Sequence, residues 1–338
     1  MLQKLPVALL LILWVAGCGS GTTASSTSAL NSNSMFAEFD LPDADGSTHE
    51  ITVGPDGNLW ITQMMTSKVI RLTTSGIITV FPQEEETHPH GIVFDKLGQL
   101  WITLQDVNAL SQIDTLTGRE IQRISLLKPG ATTIAPHGLG LGPDGTTLWF
   151  TGKYGNQIGK VVPTTGAVTL YPLPHADSEP LYIKRGYDDN MWFTEYLGNR
   201  VGFITPAGII HEFDTPTPES GPIAIVPDSK NNFMWFSEAL GHAFATVDAS
   251  GTIVEHPVPT ATAVLAGLGL DSTGSVWLSY QSPNYIGHVA SDFSVKEYAV
   301  PTASAVMHRI ILGPDGNMWF TEISADKVGH VVNTAQLH

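Results

Sequence analysis

Four histidines, His49, His90, His137 and His308, occupy the same place ahead of four similar tryptophan-containing segments. Three glutamates, Glu195, Glu238 and Glu322, follow tryptophans at a common spacing, and only the segment around Trp319 carries both types, His308 with Glu322. Imidazole titrates near neutral pH and serves as a general acid or base. A carboxylate beside it could hold a divalent cation through oxygen ligands and water. Whether these groups meet depends on the repeat that carries them.

Seven of the eight tryptophans, Trp60, Trp101, Trp149, Trp192, Trp235, Trp277 and Trp319, are spaced by 41, 48, 43, 43, 42 and 42 residues. A period in the forties built of short β segments marks a radial array of four-stranded sheets. One unit reads from His90-Gly-Ile-Val-Phe through a turn at Asp95–Gly98 to Gln-Leu-Trp-Ile-Thr103. A third strand, Ala109–Ile113, and a fourth, Glu120–Ser125, complete it. Gly54-Pro-Asp-Gly57 and its copies at 142–145 and 313–316 are turn sequences. Third strands carry an Ile/Val-Gly pair such as Ile158-Gly159 and Val328-Gly329, where glycine permits close packing. The seventh unit lacks a fourth strand, whereas Phe36–Pro42 has the alternation and terminal proline of one. The expected fold is therefore all-β: a seven-bladed β-propeller over residues 35–338, closed by an N-terminal strand that completes the last blade. An open solenoid needs no borrowed strand and calls for capping units, which are missing from this pattern.

In such a blade the start of the first strand and the end of the second lie at one mouth of the central channel. Alignment on the tryptophans puts His308, His49, His90 and His137 on four consecutive blades as a half-ring, with Leu181, Ile223 and Ala266 opposite. His308, His49 and His90 are the candidate catalytic residues, Glu322 the candidate metal ligand, and His137 and His88 candidates for binding at the mouth. Two further readings stay open. Duplication alone accounts for equivalent histidines bonded to backbone at the rim, and several imidazoles together suit iron or zinc. Glu195 and Glu238, without a histidine partner, are expected to be structural.

The ends and the composition bound the rest. Residues 1–18 combine Lys4 with an apolar run, VALLLILWV, too short to span a bilayer as a mature helix. Val15-Ala16-Gly17-Cys18 resembles a bacterial lipobox, so Cys18, the only cysteine, is the expected lipid anchor of an exported cell-envelope lipoprotein. Residues 19–34, rich in Ser, Thr, Gly and Asn, read as a flexible tether. A formal net charge of −16 repels phosphate backbones and argues against nucleic-acid partners. The expected partner is a small-molecule substrate or ligand at the channel mouth, with membrane contact only through the N-terminal lipid, on a monomeric protein.

Trp-Phe-Thr-Glu at 192–195 and 319–322, the Ile/Val-Gly third strands, the Glu-Phe/Tyr-x-x-Pro fourth strands and the borrowed first strand resemble the virginiamycin B lyase (streptogramin lyase) family over residues 35–338. The resemblance implies opening of a cyclic depsipeptide by elimination: a base removes the α proton, magnesium supports the enolate, and the C–O bond breaks. By position it carries the family's blade-seven histidine onto His308 and the later glutamate onto Glu322. The blade-six histidine falls on Ala266 and a further glutamate on Val306, so half of that set is absent. The function expected from sequence is a family-like, metal-assisted C–O lyase with a rotated site and an ester or lactone-like substrate. A non-catalytic binding propeller of the envelope is the alternative.

Overall fold

The computed structural model describes residues 22–25, 35–127 and 133–332, the first four through their backbone alone. Among the described residues there are strands and turns but no helix. The strands form seven antiparallel sheets ordered as blades of a propeller. Blade one runs outward through Thr48–Val53, Leu59–Gln63, Lys68–Leu72 and Ile77–Pro82. Blade seven runs through Met307–Leu312, Met318–Glu322 and Lys327–Val331 and ends on Phe36–Asp40. That last pairing is antiparallel, Phe36 opposite Val331 and Asp40 opposite Lys327. The ring is closed as the missing fourth strand required.

One expectation changes. Thr22–Ser25, inside the stretch read as a free tether, pair with Ile77–Val80 and add a fifth strand to blade one. Threonine favours extended backbone, and the outer edge of a blade offers unpaired backbone groups. The rest of that stretch, the signal-like segment with Cys18, and residues 333–338 lie outside the described residues.

The tryptophans carry the packing between blades. Trp60, Trp101, Trp192, Trp277 and Trp319 are wholly buried, and burying an indole is among the largest apolar contributions a side chain makes. The polar N–H of the ring is not wasted: it donates to a turn aspartate, as from Trp319 to Asp315 at 2.8 Å and from Trp277 to Asp271 at 2.9 Å. The third-strand glycines follow from the aromatic beside the tryptophan. A Cβ at Gly159 would stand 1.9 Å from Phe150 Cζ, and one at Gly329 would stand 2.3 Å from Phe320 Cζ.

The site is positioned by two features that recur in every blade. Each first strand breaks register near its start: between Thr48 and Ile51, Pro89 and Ile92, Pro136 and Leu139, and at the equivalent points of the others. Such a bulge re-aims side chains, and His49, His90, His137 and His308 lie inside it. The hydroxyl two residues after each tryptophan then ties the bulge down. It accepts from the bulge N–H of its own blade and donates to the opening carbonyl of the next. Thr62 accepts from Glu50 N at 3.2 Å and donates to His90 O at 2.7 Å; Thr103 accepts from Gly91 N and donates to His137 O. The chain of hydroxyls continues through Thr151, Thr194, Ser237 and Ser279, and Thr321 passes from Arg309 N to His49 O at 2.8 Å, joining the last blade to the first.

Loss of that last hydroxyl leaves a buried donor and a buried acceptor unpaired at the ring closure. Thr321→Val is therefore expected to lower unfolding free energy by about 1–3 kcal/mol, while Thr321→Ser recovers most of it. Denaturant titration of both variants checks this; equal stability of the valine and serine forms would count against the hydroxyl ring as a structural constraint.

Candidate functional site

The bulges bring the four histidines to the axis in blade order. Ring centroids of His308 and His49 lie 5.0 Å apart, those of His49 and His90 4.8 Å, and those of His90 and His137 3.6 Å. One nitrogen from each of His49, His90 and His308 lies within 4.8 Å of the others. His90, His137 and His308 are buried and His49 is half-buried. Both ring nitrogens of His90 and the Nδ1 atoms of His49 and His308 are buried without a hydrogen-bond partner. Buried polar atoms are nearly always paired, so a cluster of four orphans calls for an explanation.

Burial also fixes their charge. Desolvation lowers His49 to a pKa of about 3, helped by the neighbouring His90. It takes His90 to about 3 as well, with Lys153 and Arg309 adding repulsion. His137 and His308 are held well below the ordinary imidazole value, first by burial and then by their histidine neighbours. The four rings are neutral at physiological pH and present lone pairs rather than positive charge. His137 contacts the carbonyl of Leu181 through Nδ1 at 3.0 Å. Only the protonated nitrogen can donate there, so Nε2 carries the lone pair.

Below the histidines lies a polar layer that the repeat alignment passed over. It comprises Glu50, Tyr182 and Arg309, each one residue after an opening position, where blades two, three, five and six have Gly91, Gly138, Ala224 and Gly267. Tyr182 Oη lies 2.6 Å from His308 Nε2 across the axis. Arg309 Nε is 3.2 Å from Glu50 Oε1, and its guanidinium lies 4.2 Å from the centre of the Tyr182 ring. Burial, and then the charge of Glu50, keep the Tyr182 hydroxyl protonated. Deeper still, Lys184 is brought down to about 8, first by burial and then by Arg309. Three long polar residues among four small ones at a common position was the sequence signal for this layer.

Two candidates do not join the cluster. His88 turns to Asp106, with Nδ1 2.6 Å from Oδ2. Glu322 corrects the expected metal ligand. Successive side chains of a strand face opposite ways, and Thr321 faces blade one, so Glu322 points to the other face, against Glu38 and Lys327. Glu195 and Glu238 make the same arrangement with the outer-strand carboxylates of Glu212 and Glu255, and so are structural. The three acids are pushed up, to about 7 for Glu195 and about 8 for Glu238 and Glu322, chiefly by burial and then by the facing carboxylate. Glu238 and Glu322 thus hold their proton at neutral pH, while Glu195 titrates close to it.

Magnesium does not fit this site. It demands oxygen ligands in near-octahedral geometry, whereas the grouped donors are three nitrogens. Glu322 is turned away, and Ala266 and Val306 offer no donor atom.

Comparison with known proteins agrees with the geometry of the scaffold. A profile of the virginiamycin B lyase family matches residues 13–163 and 83–338. A virginiamycin B lyase of Nocardia farcinica is 32% identical over 125 residues, 37% of this chain and 41% of that protein. One from Bordetella bronchiseptica is 50% identical over 52 residues, 15% of this chain and 17% of that protein. The aligned stretches thus span less than half of these curated relatives. Among solved structures, a streptogramin B lyase superposes with a TM-score of 0.81 at 29% identity, covering 87% of this chain and 96% of the other. The virginiamycin B lyase of Staphylococcus aureus gives 0.80 at 31% identity, covering 87% and 98%.

The carboxyl pairs have a measurable consequence. An acid with a raised folded pKa keeps its proton longer in the folded state than in the unfolded one. Its full contribution is therefore present below the unfolded value of 4.5 and is lost as pH rises through about 8. Glutamine mimics the protonated acid. Glu322→Gln and Glu238→Gln are expected to match the parent at about pH 5 and to exceed its stability above pH 8 by about 1 kcal/mol or more, since one pKa unit is worth about 1.4 kcal/mol. Thermal unfolding across this range decides; a pH-independent difference would remove the raised carboxyl pKa from the account.

Proposed function

Because the chain belongs to the virginiamycin B lyase family, we propose that it is a carbon–oxygen lyase acting on a cyclic ester or lactone-like molecule at the histidine mouth of the channel. The observation that carries this reading is the convergence of four neutral imidazoles, with orphaned nitrogens, at one end of the family scaffold. His137 is the proton acceptor. Its Nδ1–H is fixed on the Leu181 carbonyl, which aims the Nε2 lone pair. The imidazole takes a proton from the carbon next to a carbonyl, the electron pair of that bond becomes a double bond, and the adjacent C–O bond breaks to release the ester oxygen as carboxylate. A histidine whose conjugate acid is so strong is a weak base for a carbon acid. The reaction therefore depends on stabilisation of the enolate that develops, and this falls to His49, His90 and His308 beside it.

The position of the site differs from that implied by the family resemblance. With Ala266 and Val306 at two of the implied positions, the reactive groups sit on blades seven, one, two and three. The partner is a small molecule and the protein acts as a monomer, since a closed ring needs no second copy to cover its edges. Export and attachment through a lipidated Cys18 complete the reading.

His137→Ala and His308→Ala are each expected to reduce turnover of a reactive cyclic ester at least 100-fold, with an unsaturated acyclic acid as the product of the parent protein. Mass spectrometry separates elimination from hydrolysis by the absence of an added water. Undiminished turnover in either variant, or no turnover by the parent across ester and lactone panels, would leave a binding propeller as the better description. Independently, Cys18→Ser should shift the protein from the membrane fraction to the soluble one on cell fractionation.

A further inference from the structure

We infer that His49, His90 and His308 form a binding site for a nitrogen-preferring divalent transition metal of the zinc class, in place of magnesium, and that Tyr182 and Glu50 orient His308 toward it. The inference deepens the proposed function, since it names what stabilises the enolate, but metal binding is measurable without turnover.

Three features point to a metal. The first is the donor set. Three imidazole nitrogens from consecutive blades lie within 4.8 Å of one another, with no carboxylate among them. Imidazole suits zinc, iron and copper, while carboxylate and water suit magnesium. Zinc–nitrogen bonds of about 2.0–2.1 Å place tetrahedral ligands about 3.4 Å apart, so the rings need approach by no more than about 1.5 Å. Three protein ligands with a fourth position open is the pattern of catalytic rather than structural zinc sites.

The second feature is the unpaired atoms. Nδ1 and Nε2 of His90 and Nδ1 of His49 and His308 are buried with no hydrogen-bond partner. An inherited, purely structural histidine is expected to resemble His137, which contacts a backbone carbonyl. A bound ion satisfies what the protein leaves open.

The third is the chain of contacts behind His308. Tyr182 Oη lies 2.6 Å from His308 Nε2, and Glu50 Oε1 lies 3.8 Å from the same nitrogen. With a metal on Nδ1, the ring hydrogen of His308 would sit on Nε2, facing these two oxygens. That tautomer leaves the His308 Nδ1 lone pair free, and Nδ1 is the nitrogen without a partner. Arg309, 3.2 Å from Glu50 Oε1, neutralises the carboxylate at the end of the chain. A metal-ligating histidine characteristically donates its other nitrogen to a carboxylate or similar acceptor, and loss of that support weakens metal binding by about 10–100-fold. Tyr182 and Glu50 are thus positioning residues.

The test uses the full chain without a histidine tag, stripped with chelator and titrated with Zn2+, then with Co2+ as a spectroscopic probe. One equivalent of either ion is expected to bind, with zinc-edge X-ray absorption showing nitrogen scatterers at about 2.0 Å. Millimolar Mg2+ should not compete. His90→Ala should abolish stoichiometric binding, and Tyr182→Phe should weaken it about 10–100-fold while circular dichroism confirms both variants are folded. His137→Ala should bind the metal normally yet fail in turnover. Absence of stoichiometric binding in the parent, or affinity unchanged by folded Tyr182→Phe, would overturn the site or its orienting pair respectively. Turnover without bound metal would reject this inference and keep the lyase reading; metal binding without turnover would do the reverse.

Discussion

The structure depends on a ring of seven buried hydroxyls. Each of Thr62, Thr103, Thr151, Thr194, Ser237, Ser279 and Thr321 donates to the opening carbonyl of the next blade. The acceptor residues are His90, His137, Leu181, Ile223, Ala266, His308 and His49, so the same bonds that hold neighbouring blades together fix the backbone of every residue at the mouth. A net hydrogen bond is worth only about 1 kcal/mol, far less than the burial of the tryptophans around it. Its importance is geometric. Apolar packing sets how close the blades come, but it is indifferent to small slides; a directional bond at each junction is not. The closing strand adds to the constraint, since Glu38 on it accepts from both the N–H and the hydroxyl of Thr302 on blade six, and Asp326 reaches Gly46 N at 2.9 Å across the junction with blade one.

That rigidity explains how the axis tolerates four imidazoles with so few partners. Leaving a buried polar atom unpaired costs roughly 1–3 kcal/mol, and the fold supplies no local relief because the bulges cannot relax independently. The imidazoles respond by staying neutral, which is less costly than burying charge. The charges nearby are paired: Glu50 with Arg309, stacked on Tyr182, and Lys153 with Glu179 at 2.9 Å. The mouth is thus a neutral, nitrogen-rich surface over a compensated ion pair. Such a surface has donor capacity to spend on a ligand, whereas a ring of charged histidines would repel cations.

The period of the tryptophans, the borrowed strand and the half-ring of histidines were all legible in the sequence, because each depends on spacing that repeats. His49, His90, His137 and His308 meet as the alignment indicated. Direction was harder. Glu322 sits at the right end of the right strand, yet the pleat turns it toward Glu38; knowing which face a residue takes requires its neighbour's partner, here Thr321 on the His49 carbonyl. Glu50, Tyr182 and Arg309 escaped notice because they share a position without sharing a type, and their meeting across the channel is a contact between blades far apart in sequence. The hydroxyls were visible in the Trp-x-Thr/Ser pattern but carried no meaning until the bulges showed which N–H groups needed an acceptor. Thr22–Ser25 were read by composition, which is blind to the unpaired edge that receives them.

A propeller has seven equivalent openings on its axis, and that is why its chemistry can move while its fold does not. Ala266 gives blade six no donor at its opening, and Val306 gives none just ahead of blade seven, but the Ala266 backbone still accepts from Ser237 and still supports its neighbours. Histidines on blades one, two and three sit on the other side of His308 at the same depth, with the same bulge to aim them. His308 is then the hinge common to both arrangements: in one it belongs with blade six, in the other with blade one. The direction of its free nitrogen decides which, and Tyr182 from blade four, reaching across the channel to Nε2, leaves Nδ1 for the histidines of blades one and two. The proposed rotated site therefore requires a side chain opposite the cluster as much as the cluster itself, and a member of this scaffold with small residues in place of Tyr182 and Glu50 would lack these contacts behind His308.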